Sequence, residues 1–255
     1  MPLPPPPPPG HFALGNPVIG PRPQARTRSF TRRGGRMPHT HQVAWDRLSG
    51  EVVLDLPRTA GEGSTIIEPG YRFEATAAFG RSAPLVVEIG SGSGDALVAG
   101  ATARPEWDFL AFEVWRPGIG HALAKMGERA LPNVRIVEAD AALALQTMVE
   151  PGSVREVWTF FPDPWPKQRH HKRRIVSPDL VEAVVAALED GGVWRLATDW
   201  VAYAAAMRAV IGADQRLSPV STGRAPLRPP TRFERRGTAE GREIVDLAYV
   251  RAERD

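Results

Sequence analysis

Leu85-Val86-Val87-Glu88-Ile89-Gly90-Ser91-Gly92-Ser93-Gly94-Asp95 is the stretch that decides the fold. A short, mostly β-branched apolar run meets three glycines at alternate positions, and an Ala-rich stretch over 95–103 follows at once. Strand, tight turn and helix in that order form the first unit of an α/β sheet. Open sheets of this kind bind ligands outside the carboxyl ends of their strands. The glycines follow G-x-G-x-G, one residue short of the G-x-G-x-x-G spacing of dinucleotide sites. Lacking Cβ atoms, such a turn lets a ligand reach the backbone. Glu88, just before it, is unwelcome beside a pyrophosphate and acceptable beside a cation.

Downstream the same alternation continues, with strands expected over 109–112, 134–137, 157–161, 193–197 and 244–250. Helices are expected over 95–103, 119–130 and 201–211. A further one is capped by Ser177, has Pro178 in its first turn and ends at Gly191-Gly192, with Leu180, Val181, Val184, Val185 and Leu188 on one face. This pattern specifies an α/β protein with a largely parallel sheet.

The 255 residues suffice for one domain with a substantial core. No apolar run approaches the ~20 residues of a membrane span. The absence of cysteine excludes disulfides, thiolate nucleophiles and Cys-ligated zinc, and fits a cytoplasmic protein. Charge is uneven. Residues 1–45 carry no acid but include Arg22, Arg26, Arg28, Arg32, Arg33 and Arg36, so the overall +3 less these six leaves −3 for the remainder. With Pro2 and Pro4 to Pro9, residues 1–41 are expected to be a disordered Pro/Arg-rich arm, either a polyanion contact or a solubilising tail. The folded domain is expected over 42–255.

Phe160-Phe161-Pro162-Asp163-Pro164-Trp165-Pro166-Lys167 ends the fourth strand, and Gln168-Arg169-His170-His171-Lys172-Arg173-Arg174 follows. An acid between two prolines has a stiff backbone, and the flanking aromatics offer flat faces to a planar base. Lys167, Arg169, Lys172, Arg173 and Arg174 read as phosphate contacts beside the pocket. The two adjacent histidines lack a metal-ligand pattern. Glu113 ends the second strand at the position where an acid accepts bonds from ribose hydroxyls, and Asp140 ends the third, where it can read an adenine amino group. Acids at three successive strand ends describe an adenosine pocket.

These pieces together resemble the bacterial tRNA (guanine-N7)-methyltransferases. The matching segments are Glu88 to Asp95, Phe112-Glu113-Val114 with Pro117 to Gly120, Asn133 to Asp140, Phe160 to Val176, Ala197 to Trp200 and Arg228 to Arg236. The likeness spans about Arg28 to Arg251, and the F-F-P-D-P-W block is its most specific part. Pro166 and Trp115 depart from the usual pattern.

The resemblance implies a Rossmann-like class I methyltransferase fold, a mostly parallel seven-stranded sheet with helices on both faces. It implies S-adenosylmethionine as cofactor, tRNA as partner, no metal, no membrane, and 7-methylguanosine in the variable loop as product. By the same likeness Glu88, Gly90, Gly92, Gly94, Glu113, Asp140 and Asp163 line the cofactor pocket. Asp163 is also the implied catalytic residue. Lys167, Asp199, Thr231, Arg232, Phe233 and Glu234 are the implied substrate contacts. The chemistry agrees: guanine N7 has a lone pair and no proton, so methylation needs alignment and carboxylates that stabilise the developing positive charge. Two other readings stay open at this point, an NAD-dependent oxidoreductase and a non-catalytic RNA-binding relative. The glycine spacing speaks against the first and the full set of acids against the second.

Overall fold

The computed structural model describes residues 35–59, 64–128, 130–220 and 223–254. Its helices and strands, in chain order, are α1 (His39–Val52), α2 (Ala75–Phe79), β1 (Leu85–Ile89), α3 (Asp95–Ala103), β2 (Asp108–Phe112), α4 (Arg116–Lys125), β3 (Val134–Val137), α5 (Ala141–Met148), β4 (Val154–Phe160), α6 (Pro178–Ala187), β5 (Leu188–Thr198), α7 (Val201–Ile211), β6 (Leu217–Pro219), α8 (Arg232–Ala239) and β7 (Val245–Arg251). A 3-10 turn, Gln168–Arg173, lies between β4 and α6.

The seven strands form one sheet in the order β3-β2-β1-β4-β5-β7-β6. Pairings from β3 through β5 are parallel, and β7 runs antiparallel between β5 and β6. Every residue of β1 and β2 is buried, as strands covered on both faces must be. One face packs its apolar side chains against α5, α6 and α7, with Leu145, Met148, Leu180, Val184, Tyr203 and Met207 at the centre. The other packs against α1, α3 and α4 through Leu48, Val52, Leu97, Ile119 and Leu123. The chain starts outward from β1 in one direction and returns from β4 in the other. The crevice at the carboxyl ends of β1 and β4 is therefore the topological switch point of the sheet.

Several boundaries differ from the sequence reading. Helix α1 begins at His39, inside the stretch read as arm; Met37 approaches Gly120, and His41 stacks on His121 of α4 with ring centroids 4.5 Å apart. The proline tract and Arg22 to Arg33 lie outside the described residues. Helix α6 ends at Ala187, well before Gly191-Gly192. Those glycines sit within β5 instead, where the register against β4 jumps from Val154↔Leu188 to Glu156↔Val193. A glycine pair that marks a bulge in a strand has the same local signature as one that ends a helix. Helix α4 starts earlier and stops earlier than its apolar pattern suggested, closing before Gly127 at φ +79°. Among the described residues no helix is long and apolar enough to cross a membrane.

Candidate active site

The turn after β1 favours glycines, because Gly90, Gly92 and Gly94 have φ of 72°, 54° and 72°, the left-handed region. Their roles separate. A Cβ on Gly92 would meet nothing nearer than the Gly90 carbonyl at 4.0 Å, so that position faces open space. A Cβ on Gly94 would lie 2.5 Å from the Ala122 Cβ. Gly94 thus lets α3 lie against α4, and it is not among the residues lining the site.

A cavity of about 410 Å³ opens at the switch point. On the β1 side it is walled by Glu88, Gly90, Gly92 and Asp95, on the β2 side by Glu113 and Trp115. Phe161, Asp163, Trp165 and Arg173 close the β4 side, and Thr231, Arg232 and Phe233 the α8 side. Four separate sequence blocks converge here because each ends at the carboxyl edge of the sheet or lies in the loops and helix above it.

Glu88 is 4% exposed, and its Oε2 is buried with no hydrogen-bond partner. Burial, followed by the nearby Glu113 and Asp95 carboxylates, pushes its carboxyl up to about 8. A buried acid held neutral by its surroundings, with an oxygen unsatisfied, is a poor structural element and a good receptor for a cation. Glu113 also lines the cavity and ties the turn down. Its Oε2 accepts from Gly92 N at 2.6 Å, and its Oε1 accepts from Val114 N at 2.8 Å and Trp115 N at 2.7 Å. Asp95, the last residue of the turn motif, has a role that its position in sequence does not announce. Its Oδ1 lies 2.5 Å from the Lys125 ammonium, and its Oδ2 accepts from Ser93 Oγ at 3.1 Å and Arg232 N at 3.3 Å. It therefore joins the glycine turn to the start of α8. Burial opposes its ionisation, yet Lys125 and these donors hold its carboxyl below the usual range.

The Phe160–Trp165 segment departs from regular backbone twice. Phe161 has φ 50° and Trp165 φ 44°, rare for aromatic residues and costing about 1–3 kcal/mol each. Phe161 N donates to the Ala197 carbonyl at 2.7 Å, anchoring the corner to the end of β5. Arg174 Nε donates to the Pro164 carbonyl at 2.9 Å, and the Arg173 guanidinium lies 4.9 Å from the Trp165 ring centre. Asp163, between these anchors, is exposed at the cavity wall. Arg173 and Arg174, read as phosphate contacts, are thus half-buried parts of the loop's own support. Lys167, Arg169 and Lys172 are exposed.

Of the other sequence candidates, Asp140, Asp199 and Glu234 are not among the residues lining the cavity, whereas Thr231, Arg232 and Phe233 are. Asp140 is buried and caps α5, accepting from Ala142 N at 3.1 Å and Leu143 N at 3.3 Å. Helix capping accounts for an acid at that strand end as readily as adenine recognition does. Asp199 pairs with Arg242, Nε to Oδ2 at 2.8 Å, and packs under Gly237. Thr231 caps α8, its Oγ1 accepting from Glu234 N at 3.1 Å. Glu234 turns inward from α8, 8% exposed, and pairs with Arg224 and Arg228. Arg232 and Phe233 line the α8 side of the cavity and are exposed at its mouth, Phe233 to 47%. Arg228 has no role legible in the sequence, since its partners Glu234 and Asp246 meet it only through the fold.

The site fits a cationic nucleoside-sized ligand on two counts, the unpartnered oxygen of Glu88 and the open face of Gly92. Comparison with known proteins agrees. A family model described as "Putative methyltransferase" matches residues 82–247. The tRNA (guanine-N(7)-)-methyltransferase of Cutibacterium acnes is 47% identical over 231 residues, 88% of this chain and 83% of that protein. That of a Nocardioides species is 44% identical over 223 residues, covering 88% and 86%. A longer relative of the same name from an Arthrobacter species is 51% identical over 183 residues, 72% of this chain and 57% of its own length. Among solved structures, the 16S rRNA methyltransferase KamB superposes with a TM-score of 0.51 at 14% identity, covering 68% of this chain and 90% of that one, which shows a common fold. A glycine turn, an acid-lined crevice and an aromatic loop at this switch point, in a chain this similar to those enzymes, make it a member of the tRNA (guanine-N(7)-)-methyltransferase family.

Proposed function

We propose that this protein transfers a methyl group from S-adenosylmethionine to N7 of a guanine in the variable loop of tRNA, with Asp163 as the catalytic residue. The observation that carries the reading is the cavity itself. It joins the buried, unpartnered carboxylate oxygen of Glu88 to the exposed Asp163 across one crevice.

The cofactor, when bound, supplies an electrophilic sulfonium methyl. Glu88 would hold its cationic portion, ionising as it does so. Gly90 and Gly92 would lie against it with no Cβ between, while Glu113 fixes the turn. On the opposite wall Phe161, Trp165 and Phe233 offer faces to a purine. N7 carries its lone pair in the ring plane and needs no general base. The residues' task is alignment and exclusion of water, worth several kcal/mol. As the N–C bond forms and the methyl–sulfur bond breaks, positive charge passes from sulfur to the purine, where the Asp163 carboxylate at the wall would stabilise it.

Lys167, Arg169 and Lys172 on one side of the mouth, with Arg232 and Arg235 on the outward face of α8, suit the phosphates of folded RNA. A guanine inside tRNA must leave its stack to enter a crevice. This reading places the protein in the cytoplasm, a compartment that a chain without cysteine suits. The test is incubation of the protein with unmodified tRNA and labelled S-adenosylmethionine, followed by nucleoside identification. 7-Methylguanosine at a variable-loop position is expected. Label in another nucleoside, or none, refutes the assignment.

A further inference from the structure

We infer that Arg228 is a positioning residue for this reaction, holding the Phe160-Phe161 corner and, through it, Asp163. The Arg228 side chain is fully buried. Its guanidinium forms an ion pair with Glu234 of α8. It also donates through Nη2 to both carboxylate oxygens of Asp246 on β7, at 2.8 and 2.7 Å. Its carbon centre lies 5.6 Å from the Phe160 ring centre and 5.2 Å from that of Phe161. A guanidinium so far from water is compensated by paired carboxylates, and its flat face gains from aromatic rings. One cation thus ties together the end of β4, α8 and β7.

The corner needs such a hold. Phe161 is one of two described non-glycine residues with positive φ; the other is Trp165, and together they bracket Pro162-Asp163-Pro164. Each has an arginine beside its ring, Arg228 at Phe161 and Arg173 at Trp165. Pro162, the one residue between them, transmits the direction set at Phe161 to Asp163 with little freedom, and Pro164 restricts the backbone of Asp163 itself. Strained backbone persists only where its surroundings over-determine it, and Arg228 is the charged part of those surroundings on the entry side. Glu234 thereby acquires a role away from the ligand: its ion pair holds the Arg228 guanidinium in place.

The inference rests on the proposed methyl transfer, but one arm of its test does not. Arg228→Lys keeps a cation between Glu234 and Asp246 and loses the flat face and the bidentate geometry. Amide hydrogen exchange across Phe160–Trp165 should quicken by about tenfold or more, with β1 and β2 unchanged. Single-turnover methyl transfer at saturating cofactor and tRNA should slow by about tenfold or more. Both equilibrium affinities should stay within about threefold, and in an Asp163→Asn background the same substitution should cost less than about threefold. Phe161→Leu, which removes the ring and leaves the ion pairs, should reproduce the exchange change should the lysine variant not fold. Unchanged exchange over Phe160–Trp165 overturns the inference, as does a rate loss that persists undiminished in the Asp163→Asn background. A wild-type protein that methylates no tRNA refutes the function, and exchange alone then decides the positioning role.

Discussion

Replacing Glu88 by Gln should stabilise the ligand-free protein and weaken its cofactor binding, both with a defined pH dependence. Glu88 is 4% exposed, and its carboxyl is pushed up to about 8 by burial and by Glu113 and Asp95. In the unfolded chain it titrates near the ordinary value of 4.5. Below that pH the group is protonated in both states and no penalty exists. Between about 5 and 8 the unfolded state has lost the proton that the folded state retains, so stability falls as pH rises, by up to about 1.4 kcal/mol per unit. Above about 8 the loss is complete. From pH 5.5 to 7.5 the stability of the wild type relative to Glu88→Gln should therefore fall by roughly 2–3 kcal/mol, other titrations cancelling in the difference. Urea unfolding of both proteins at three pH values in that window measures it. Cofactor binding carries the opposite sign. A cation favours ionised Glu88, so below about 8 the wild type must release a proton to bind. Its affinity should rise with pH by up to about tenfold per unit relative to the variant, the ligand's own titration being common to both. Parallel stability curves would refute the reasoning, for they would mean Glu88 is already ionised in the folded protein at neutral pH.

Asp163→Asn should leave the melting temperature nearly unchanged, since the side chain is exposed, and lower the single-turnover rate on the order of 10²-fold. A near-normal rate would move charge stabilisation elsewhere. Gly92→Val should weaken S-adenosylmethionine binding by well over about tenfold, by filling the open face of a positive-φ turn. Gly94→Ala, in contrast, should cost roughly 2 kcal/mol or more of stability through its clash with Ala122; isothermal titration and urea unfolding separate the two. Replacing Lys167, Arg169 and Lys172 together by Ala should flatten the log–log salt dependence of tRNA binding by about 0.7 to 0.9 for each phosphate no longer neutralised. A slope equal to that of the wild type would remove this face from the interface.

Much of this protein is local, and what is local was legible in the residues. The order Leu85–Ile89, glycine turn, Asp95–Ala103 specifies strand, turn and helix through neighbours alone, and the structure returns β1 and α3 with those bounds. Ser177 and Pro178 likewise start α6 where their capping chemistry requires. Proline, glycine and aromatic content around Asp163 was enough to mark an unusual loop. Tertiary structure decided where each acid's charge is spent. Asp140 caps a helix and Glu234 pairs with Arg224 and Arg228, whereas Glu88 is left buried without a partner for one oxygen. The same holds for the basic side chains: Arg174 braces the loop and Lys172 faces solvent, two positions apart in one run. Residue type sets what a side chain is able to bond. Which partner it finds depends on strands and helices brought together from distant parts of the chain, as Asp246 and Phe161 are at Arg228. A carboxylate or guanidinium reads identically in sequence whether it meets water, a helix end or an opposite charge, and only the packed sheet distinguishes these.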